Sequence, residues 1–167
     1  ISIFNNLISL KLKDIDVLDY NQLIPLINLE VIEIVNCKFN NTNTNTFSFP
    51  KLKSLSLIST NVKTLYLTPC SCMSLILEFN RNLNIVNGND IKFNRLIFNN
   101  NNIFDCNLSN CSVIHFGIKN NLKTSINILN IQILSILEID NSNFGIKLPT
   151  SNLYSVRSLI LKNINDV

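Results

Sequence analysis

The chain has 167 residues, of which 46% are hydrophobic, and its 14 basic and 11 acidic residues give a formal net charge of +3. This length allows one domain with a substantial core, and so small a charge argues against a nucleic acid or an anionic membrane surface as partner. No apolar run is long enough to span a bilayer, so we expect no membrane insertion by this segment.

A three-residue apolar pattern recurs in chain order from one end of the sequence to the other. An apolar residue is followed three positions later by a second and two positions later by a third, and the second member recurs at roughly 18 to 23 residues. The eight copies are Leu7/Leu10/Leu12, Leu29/Ile32/Ile34, Leu52/Leu55/Leu57, Cys72/Leu75/Leu77, Phe93/Leu96/Phe98, Cys111/Ile114/Phe116, Leu134/Leu137/Ile139 and Val156/Leu159/Leu161. Because the last two members lie two residues apart, they share one face of a strand. The sequence therefore predicts short parallel strands, one per copy, stacked over a common core.

The copy "FNRLIFNNNNI" has an apolar residue or Asn101 at every fixed position of LxxLxLxxNxL, and other copies carry Cys37, Thr60 and Ser142 at the polar position. On these residues the chain resembles the leucine-rich-repeat family. The resemblance implies an α/β solenoid, a horseshoe with one short parallel strand per repeat and a mostly irregular or 3-10 outer flank. It covers residues 1–167 as a single solenoid of about eight repeats. Neither end has the polar outer face of a capping repeat, so we expect a segment of a larger protein whose flanking repeats or modules contact it.

One low-complexity stretch, Asn40–Thr46, lies between two copies and is predicted to be an exposed loop. Three N-glycosylation sequons begin at Asn40, Asn107 and Asn110, and Asn40 is the best candidate because of that loop. Only 15% of the residues are charged, which leaves Asn, Ser and Thr to form most of the polar surface. This favours an extracellular or cell-surface protein, although AT-rich coding DNA would explain the same composition.

Neither a metal site nor a catalytic site is predicted. Of the five cysteines, Cys37, Cys72 and Cys111 fall at core positions and are expected to be buried thiols. The only histidine, His115, has no partner set for a zinc site or a serine triad, and there is no phosphate-binding glycine motif. The acidic pair Glu138 and Asp140 shares a strand face, which usually indicates a solvated surface. We therefore expect no cofactor, no metal and no enzymatic activity.

In each strand, the residue between the second and third members of the pattern and the residue after the third member point outward. They form the concave face that such solenoids use for partners. The middle copies place apolar side chains there, with charged residues toward both ends, as is typical of a protein-contact surface. The predicted binding residues are Val35, Ile58, Ile76, Glu78, Phe79, Ile97, Asn99 and His115.

Three functions remain open at this point. The first is recognition of another protein or a glycan, in adhesion or signalling, by a leucine-rich-repeat segment of a secreted or membrane-anchored cell-surface protein. The second is an intracellular scaffold or adaptor of the same fold. The third is a parallel β-helix enzyme acting on polysaccharide, which would require three strands per coil and clustered charged residues on one external face.

Overall fold

The computed structural model describes residues 4–40, 45–70, 73–103, 105–120, 125–140, 145–147 and 155–163. Within these ranges the chain forms strands and a single 3-10 turn at Tyr20–Gln22. The strands are β1 (Ser9–Lys13), β2 (Val31–Val35), β3 (Asn45–Phe47), β4 (Ser54–Ile58), β5 (Thr64–Leu67), β6 (Met73–Glu78), β7 (Ile85–Asn89), β8 (Lys92–Asn99), β9 (Asp105–Lys119), β10 (Ser125–Asp140), β11 (Gly145–Lys147) and β12 (Ser158–Lys162). The pairings between these strands are parallel and join them into one sheet.

The strands lie in two columns, and the described coils from β2 to β11 pass through both. The first column contains β1, β2, β4, β6, β8, the C-terminal parts of β9 and β10, and β12. The second column contains β3, β5, β7, the N-terminal parts of β9 and β10, and β11. β9 and β10 are long because each continues from the second column into the first column of the next coil. The protein is therefore a β-solenoid.

The predicted stack of parallel strands over a shared core is confirmed in the first column. Leu55 pairs with Leu75, which pairs with Leu96, and Phe116 joins Leu96 to Leu137 in the same row. The side chains of this row are buried and belong to one continuous core. No single coil could bury such a row alone, so stacking of neighbouring coils supplies the core.

The predicted fold class, an α/β leucine-rich-repeat horseshoe with one strand per repeat, is wrong. The described residues contain no α-helix, and none belongs to a helix long and apolar enough to cross a membrane. A second column of parallel strands occupies the flank that was predicted to be irregular. The physical reason is alternation, because Leu65 and Leu67 in β5, and Cys106 and Leu108 in β9, are buried while the residues between them face outward.

The predicted register of the sixth copy is also wrong. Its last two members are Phe116 and Ile118, which pair with Leu96 and Phe98, whereas Ile114 faces outward and is exposed. With Phe116 in place, the second members of successive copies lie 20 to 23 residues apart. The corrected register makes the repeat more even than the sequence alone indicated.

The first member differs from the prediction in two further copies. In the fourth copy, Met73 pairs with Phe93 and is fully buried, while Cys72 lies outside the described residues. In the seventh, Ile133 is fully buried and Leu134 only partly so. In each of these two copies, two neighbouring residues are apolar, so the hydrophobic pattern alone could not show which of the two is the buried first member.

The predicted loop at Asn40–Thr46 is partly replaced by a strand. Asn40 is exposed, residues 41–44 lie outside the described residues, and β3 begins at Asn45. Phe47 in β3 is buried, and its ring lies 6.3 Å from that of Phe49. The aromatic side chain explains why this polar stretch ends in the sheet.

A short row of buried polar side chains runs through three coils behind the first column. Asn80 Oδ1 accepts hydrogen bonds from the backbone N–H of Thr60 at 2.8 Å and from its hydroxyl at 2.7 Å. Asn101 Oδ1 accepts from the backbone N–H of Asn80 at 3.0 Å, and its Nδ2 donates to Leu77 O at 2.7 Å. One coil earlier, the Cys37 thiol donates to Val35 O at 3.2 Å. These bonds satisfy backbone groups that the turn would otherwise leave buried and unpaired.

Candidate interaction face

The outward side chains of the first column form a regular array, which we call the first-column face. Each strand contributes three of them, and strand pairing aligns them into three rows. Row one is Ser9, Val31, Ser54, Ser74, Arg95, His115, Ile136 and Ser158. Row two is Lys11, Glu33, Ser56, Ile76, Ile97, Gly117, Glu138 and Ile160. Row three is Lys13, Val35, Ile58, Glu78, Asn99, Lys119, Asp140 and Lys162.

The structure brings the predicted binding residues together on or beside this face. Val35, Ile58, Glu78 and Asn99 are successive members of row three. Ile76 and Ile97 are neighbours in row two, and Phe79 is the corner residue directly after β6. His115 lies on the same face but in row one, because the register of its copy differs from the prediction. Their role in binding stays a prediction.

The centre of the face is apolar and only partly covered. Val35, Ile58 and Ile76 are half-buried on adjacent strands, and Val31 at the edge of β2 is exposed. Their backbones are fixed by the parallel ladder on both sides, so these side chains are presented without any ordering on binding. A rigid apolar patch of this kind is favourable for a protein contact.

Phe79 is the most unusual residue beside the patch. Seven described corners after first-column strands have a residue with positive φ: Asp14, Asn36, Ser59, Phe79, Asn100, Asn120 and Asn163. Each of the others is Asp, Asn or Ser, which are small and polar, whereas Phe79 is held at φ 56° with 47% of its surface exposed. A bulky residue in the left-handed region is strained, and such strain is concentrated at functional sites.

A charged cluster flanks the patch toward β12, centred on Glu138. The Lys119 and Lys162 ammonium groups lie 3.1 Å and 3.2 Å from Glu138 Oε1. Burial would by itself raise the pKa of this carboxyl, but hydrogen bonds and charge from the two lysines outweigh it and lower the pKa below its usual value of 4.5. The side chain of Glu138 is only 8% exposed, so it is an ionised anchor for the lysines and is not free to act as an acid or base.

His115 lies at the edge of the same cluster. Its Nε2 atom is 3.4 Å from Glu138 Oε2, but this atom is buried and forms no hydrogen bond within the described part of the chain.

Oppositely charged residues also meet at the other end of the face, where Lys11 Nζ lies 2.8 Å from Glu33 Oε1. The apolar patch is therefore bordered by charges on both sides, as the sequence predicted.

Sequence reasoning missed the two residues that shape the charged end of the face. Gly117 and Lys119 are not among the predicted binding residues, because the predicted register of the sixth copy differs from the observed one. No group of three or more His, Cys, Asp or Glu side chains suited to a metal ion occurs in the described ranges.

The three candidate glycosylation sites differ in accessibility. Asn40 is exposed. Asn107 is half-buried within β9, between β7 and β10. Asn110 is exposed at a corner with φ 54°, but its Nδ2 donates to Asp90 Oδ1 at 3.2 Å. Since a glycan is attached at Nδ2, Asn40 is the site that the fold leaves most open.

The cysteines within the described ranges are free thiols. Cys37 and Cys111 are buried as predicted, and Cys106 is buried as well. Burial raises the pKa of the Cys70, Cys106 and Cys111 thiols. High thiol pKa values keep these groups protonated and weakly nucleophilic at neutral pH, as expected for core residues.

Comparisons of the chain with models of protein families, with curated proteins and with solved structures give no match.

Proposed function

We propose that this chain is a non-enzymatic recognition module that binds another protein through the first-column face. The observation that carries the proposal is the strained, exposed Phe79 beside the half-buried Val35, Ile58 and Ile76. An exposed aromatic next to a rigid apolar patch with a charged border has the composition of an interface core and rim. A protein partner is favoured over a glycan, because the centre of the patch offers apolar side chains and few hydrogen-bonding groups.

A variant at Phe79 tests this proposal without damaging the fold. Phe79→Asn substitutes a residue found at the same corner in other coils, so the variant should fold at least as well as the wild type. The matched control is Tyr66→Asn, which removes an exposed aromatic of similar accessibility from the second column. Each biotinylated protein is used as bait in extracts of the source cells, and retained proteins are identified by mass spectrometry.

The proposal predicts a partner retained by the wild type and by the Tyr66→Asn protein but lost with Phe79→Asn. Direct titration of that purified partner should then show at least a tenfold loss of affinity, which corresponds to about 1.4 kcal/mol. Identical retained sets for all three baits would refute a role for this face. Binding to arrayed glycans that depends on Phe79, without a protein partner, would move the assignment to glycan recognition.

The setting in which the module acts is part of the same proposal. In a secreted or cell-surface protein it would serve adhesion or signalling, and inside the cell it would serve as a scaffold or adaptor. Asn40 separates the two, because a glycan at this exposed side chain of the native protein requires passage through the secretory pathway.

A polysaccharide-active enzyme receives less support from the same face. Glu138 and Asp140 are neighbours in rows two and three, but Glu138 is held by two lysines. Paired-carboxylate hydrolysis requires one carboxyl group that can protonate the leaving group, and a lowered pKa works against that role.

A further inference from the structure

The outward side chains of the second column form a polar array in the middle of the described chain, which we call the second-column face. Strand pairing aligns them into rows across β3, β5, β7 and the N-terminal part of β9. The central row is Thr46, Tyr66, Asn87 and Asn107, and the next row includes Asn89 and Ser109. Every one of these side chains carries a hydroxyl or amide group, and each is exposed or half-buried. The face therefore offers hydrogen-bonding groups at the spacing of the coils.

The second-column face differs in chemistry from the first-column face and is separate from it. The four strand segments that form it contain one charged residue, Asp105, and one outward aliphatic residue, Ile85. The first-column face, by contrast, has an apolar centre with ion pairs on both sides. A surface without a large apolar patch or a charged cluster is suited to a neutral ligand that is rich in hydroxyl groups.

Tyr66 is the exposed aromatic residue of this face. It is 40% exposed, whereas Phe47, the other aromatic residue of the four segments, is buried in the core. A tyrosine ring has an apolar surface and a polar hydroxyl group. Sugars have the same two features, because the C–H groups on one side of a pyranose ring pack on an aromatic ring while the hydroxyl groups at its edge form hydrogen bonds. Tyr66 is therefore the residue of this face best suited to stack against a sugar.

Asn87 is the direct partner of Tyr66 on the neighbouring strand. Its side-chain amide is half-buried and makes no hydrogen bond within the described ranges. An amide both donates and accepts, so Asn87 can bind two hydroxyl groups of a sugar that stacks on the adjacent ring. One strand further on, Asn107 Oδ1 accepts a hydrogen bond from the Ser109 hydroxyl at 3.3 Å, which orients that amide. The parallel ladder fixes the backbones of the row, so little ordering is required on binding.

We propose that the second-column face binds an extended, neutral polysaccharide that runs across the strands, with Tyr66 stacking on one sugar and Asn87 bound to its hydroxyl groups. Neighbouring strands lie about 4.8 Å apart, which is close to the length of one sugar unit in an extended chain. A glycan that crosses the strands therefore meets one coil for each sugar. The row from Thr46 to Asn107 covers the four coils of β3, β5, β7 and β9, so it has room for about four sugar units.

A ribbon-shaped glycan of the cellulose or chitin type fits this face better than a helical one. In such a ribbon the sugar rings present their C–H groups on the two flat sides and their hydroxyl groups along the edges, so one side can lie on a regular array of strands. A helical chain such as amylose turns its rings away from the surface after a few units. A polyanionic glycan such as heparin would meet Asp105 and no basic residue in the four segments.

Titration with cellohexaose and with chitohexaose tests the proposal, with calorimetry for the affinity and saturation-transfer difference NMR for the contact. The variants are Tyr66→Ala, Tyr66→Phe and Asn87→Ala, all at exposed or half-buried positions of the face. The matched control is Phe79→Asn, which removes an exposed aromatic residue beside the other face. Urea unfolding of each protein shows that the fold is retained, and the Tyr66→Phe and Asn87→Ala proteins keep the test decisive if Tyr66→Ala does not fold.

We expect the wild type, Tyr66→Phe and Phe79→Asn to bind at least one of the two hexasaccharides with similar affinity. Tyr66→Ala should weaken that binding about tenfold, because the stacking surface is lost, and Asn87→Ala should weaken it about threefold. In the NMR experiment the C–H protons of the sugar rings should receive the strongest saturation, and this signal should disappear with Tyr66→Ala.

A wild type that binds neither hexasaccharide would overturn the proposal. So would equal losses with Phe79→Asn and Tyr66→Ala, because the glycan would then not be specific to the second-column face. Tighter binding of heparin or amylose fragments than of both probes would contradict a neutral, extended ligand. A protein without such a glycan that is retained from cell extracts by the wild type, and lost with Tyr66→Asn, would assign this face to a protein partner instead.

Discussion

Ile97 lies directly over Gly117 on the neighbouring strand. A Cβ atom placed at residue 117 would be 2.6 Å from Ile97 Cδ1, and it would also meet His115 Nε2 at 3.8 Å and Glu138 Oε2 at 3.9 Å. The absence of a side chain at 117 therefore lets Ile97 fold down beside the charged cluster. This explains why Ile97 is only 4% exposed although its row faces outward. The apolar patch and the Glu138 cluster are joined at this contact.

The first prediction is that Gly117→Ala destabilises the protein by about 1 kcal/mol, because the added methyl group forces Ile97 out of its site. Shortening residue 97 should relieve the clash. The double variant Gly117→Ala/Ile97→Val should therefore lose less free energy of unfolding than the sum of the losses for the two single variants. Urea unfolding of the four proteins gives the coupling energy, which we expect to be about 0.5–1 kcal/mol.

The four proteins form a double-mutant cycle, and its control uses Ile58→Val in place of Ile97→Val. Ile58 lies on the same face but does not contact Gly117. That pair should be additive. Equal coupling in both cycles would show that the contact between Ile97 and Gly117 has no special role.

The second prediction concerns the buried asparagines. Asn80→Ala removes the acceptor for the backbone N–H and hydroxyl of Thr60 and the donor to Leu57 O, all within the core. Unpaired buried polar groups are costly, so we expect a loss of about 2–4 kcal/mol in the free energy of unfolding. Asn87→Ala, at a half-buried strand position on the second column, should cost less than about 1 kcal/mol. Equal losses for the two variants would argue against the polar row as a stabilising element.

The third prediction is that the free energy of unfolding depends on pH because the Glu138 carboxyl titrates. Because its pKa is lowered in the folded state, the ionised carboxylate stabilises the protein above the unfolded pKa near 4.5, and this contribution is lost as the pH falls through the folded value. Glu138→Gln should therefore lower the free energy of unfolding by about 2 kcal/mol at pH 7, since two charge-assisted hydrogen bonds are weakened.

Urea titrations at a series of pH values check this point. The difference in the free energy of unfolding between the wild type and Glu138→Gln should shrink steadily as the pH falls below 4.5. Glu78→Gln serves as the control, because Glu78 has no ion-pair partner among the described residues, and its effect should stay small throughout. A constant difference for Glu138→Gln down to the lowest pH would contradict the proposed ion pairs.

The fourth prediction is an order of thiol labelling in the native protein. Cys70 is partly accessible, whereas Cys37, Cys106 and Cys111 are buried. Iodoacetamide should therefore label Cys70 well before these three, and unfolding in urea should abolish the difference. Peptide mass spectrometry measures the labelling at each site. Early labelling of Cys106 would show that the second column opens at that coil.

The first column could be predicted from the sequence because each of its strands places two large apolar residues in the core. Burial on one face and a period of two together fix which residues point inward. The same rule correctly placed Val35, Ile58 and Ile76 on one outward face. It failed in the sixth copy, where the exposed Ile114 fits the pattern and Ile114 and Phe116 were predicted to point inward instead of Phe116 and Ile118.

The second column could not be recognised in the same way. Its strands are short, and β7 contributes Val86 as its one fully buried hydrophobic side chain, with Gly88 two residues on. The alternation there is too brief to separate a strand from an irregular flank. The resemblance to a repeat family with one strand per copy then favoured the wrong fold class.

The corners provide the last prediction, which connects fold and function. Phe79 occupies a left-handed corner at which other coils carry Asn, and the positive φ is unfavourable for a bulky side chain. Phe79→Asn should therefore raise the free energy of unfolding by about 0.5–1 kcal/mol, as judged by urea unfolding. The matched substitution Asn100→Phe, at the equivalent corner one coil on, should lower it by a similar amount. If Phe79→Asn is instead destabilising, the ring contributes packing that outweighs the backbone strain. A stabilised Phe79→Asn protein that no longer binds would mean that this aromatic residue is maintained for recognition at a cost in stability.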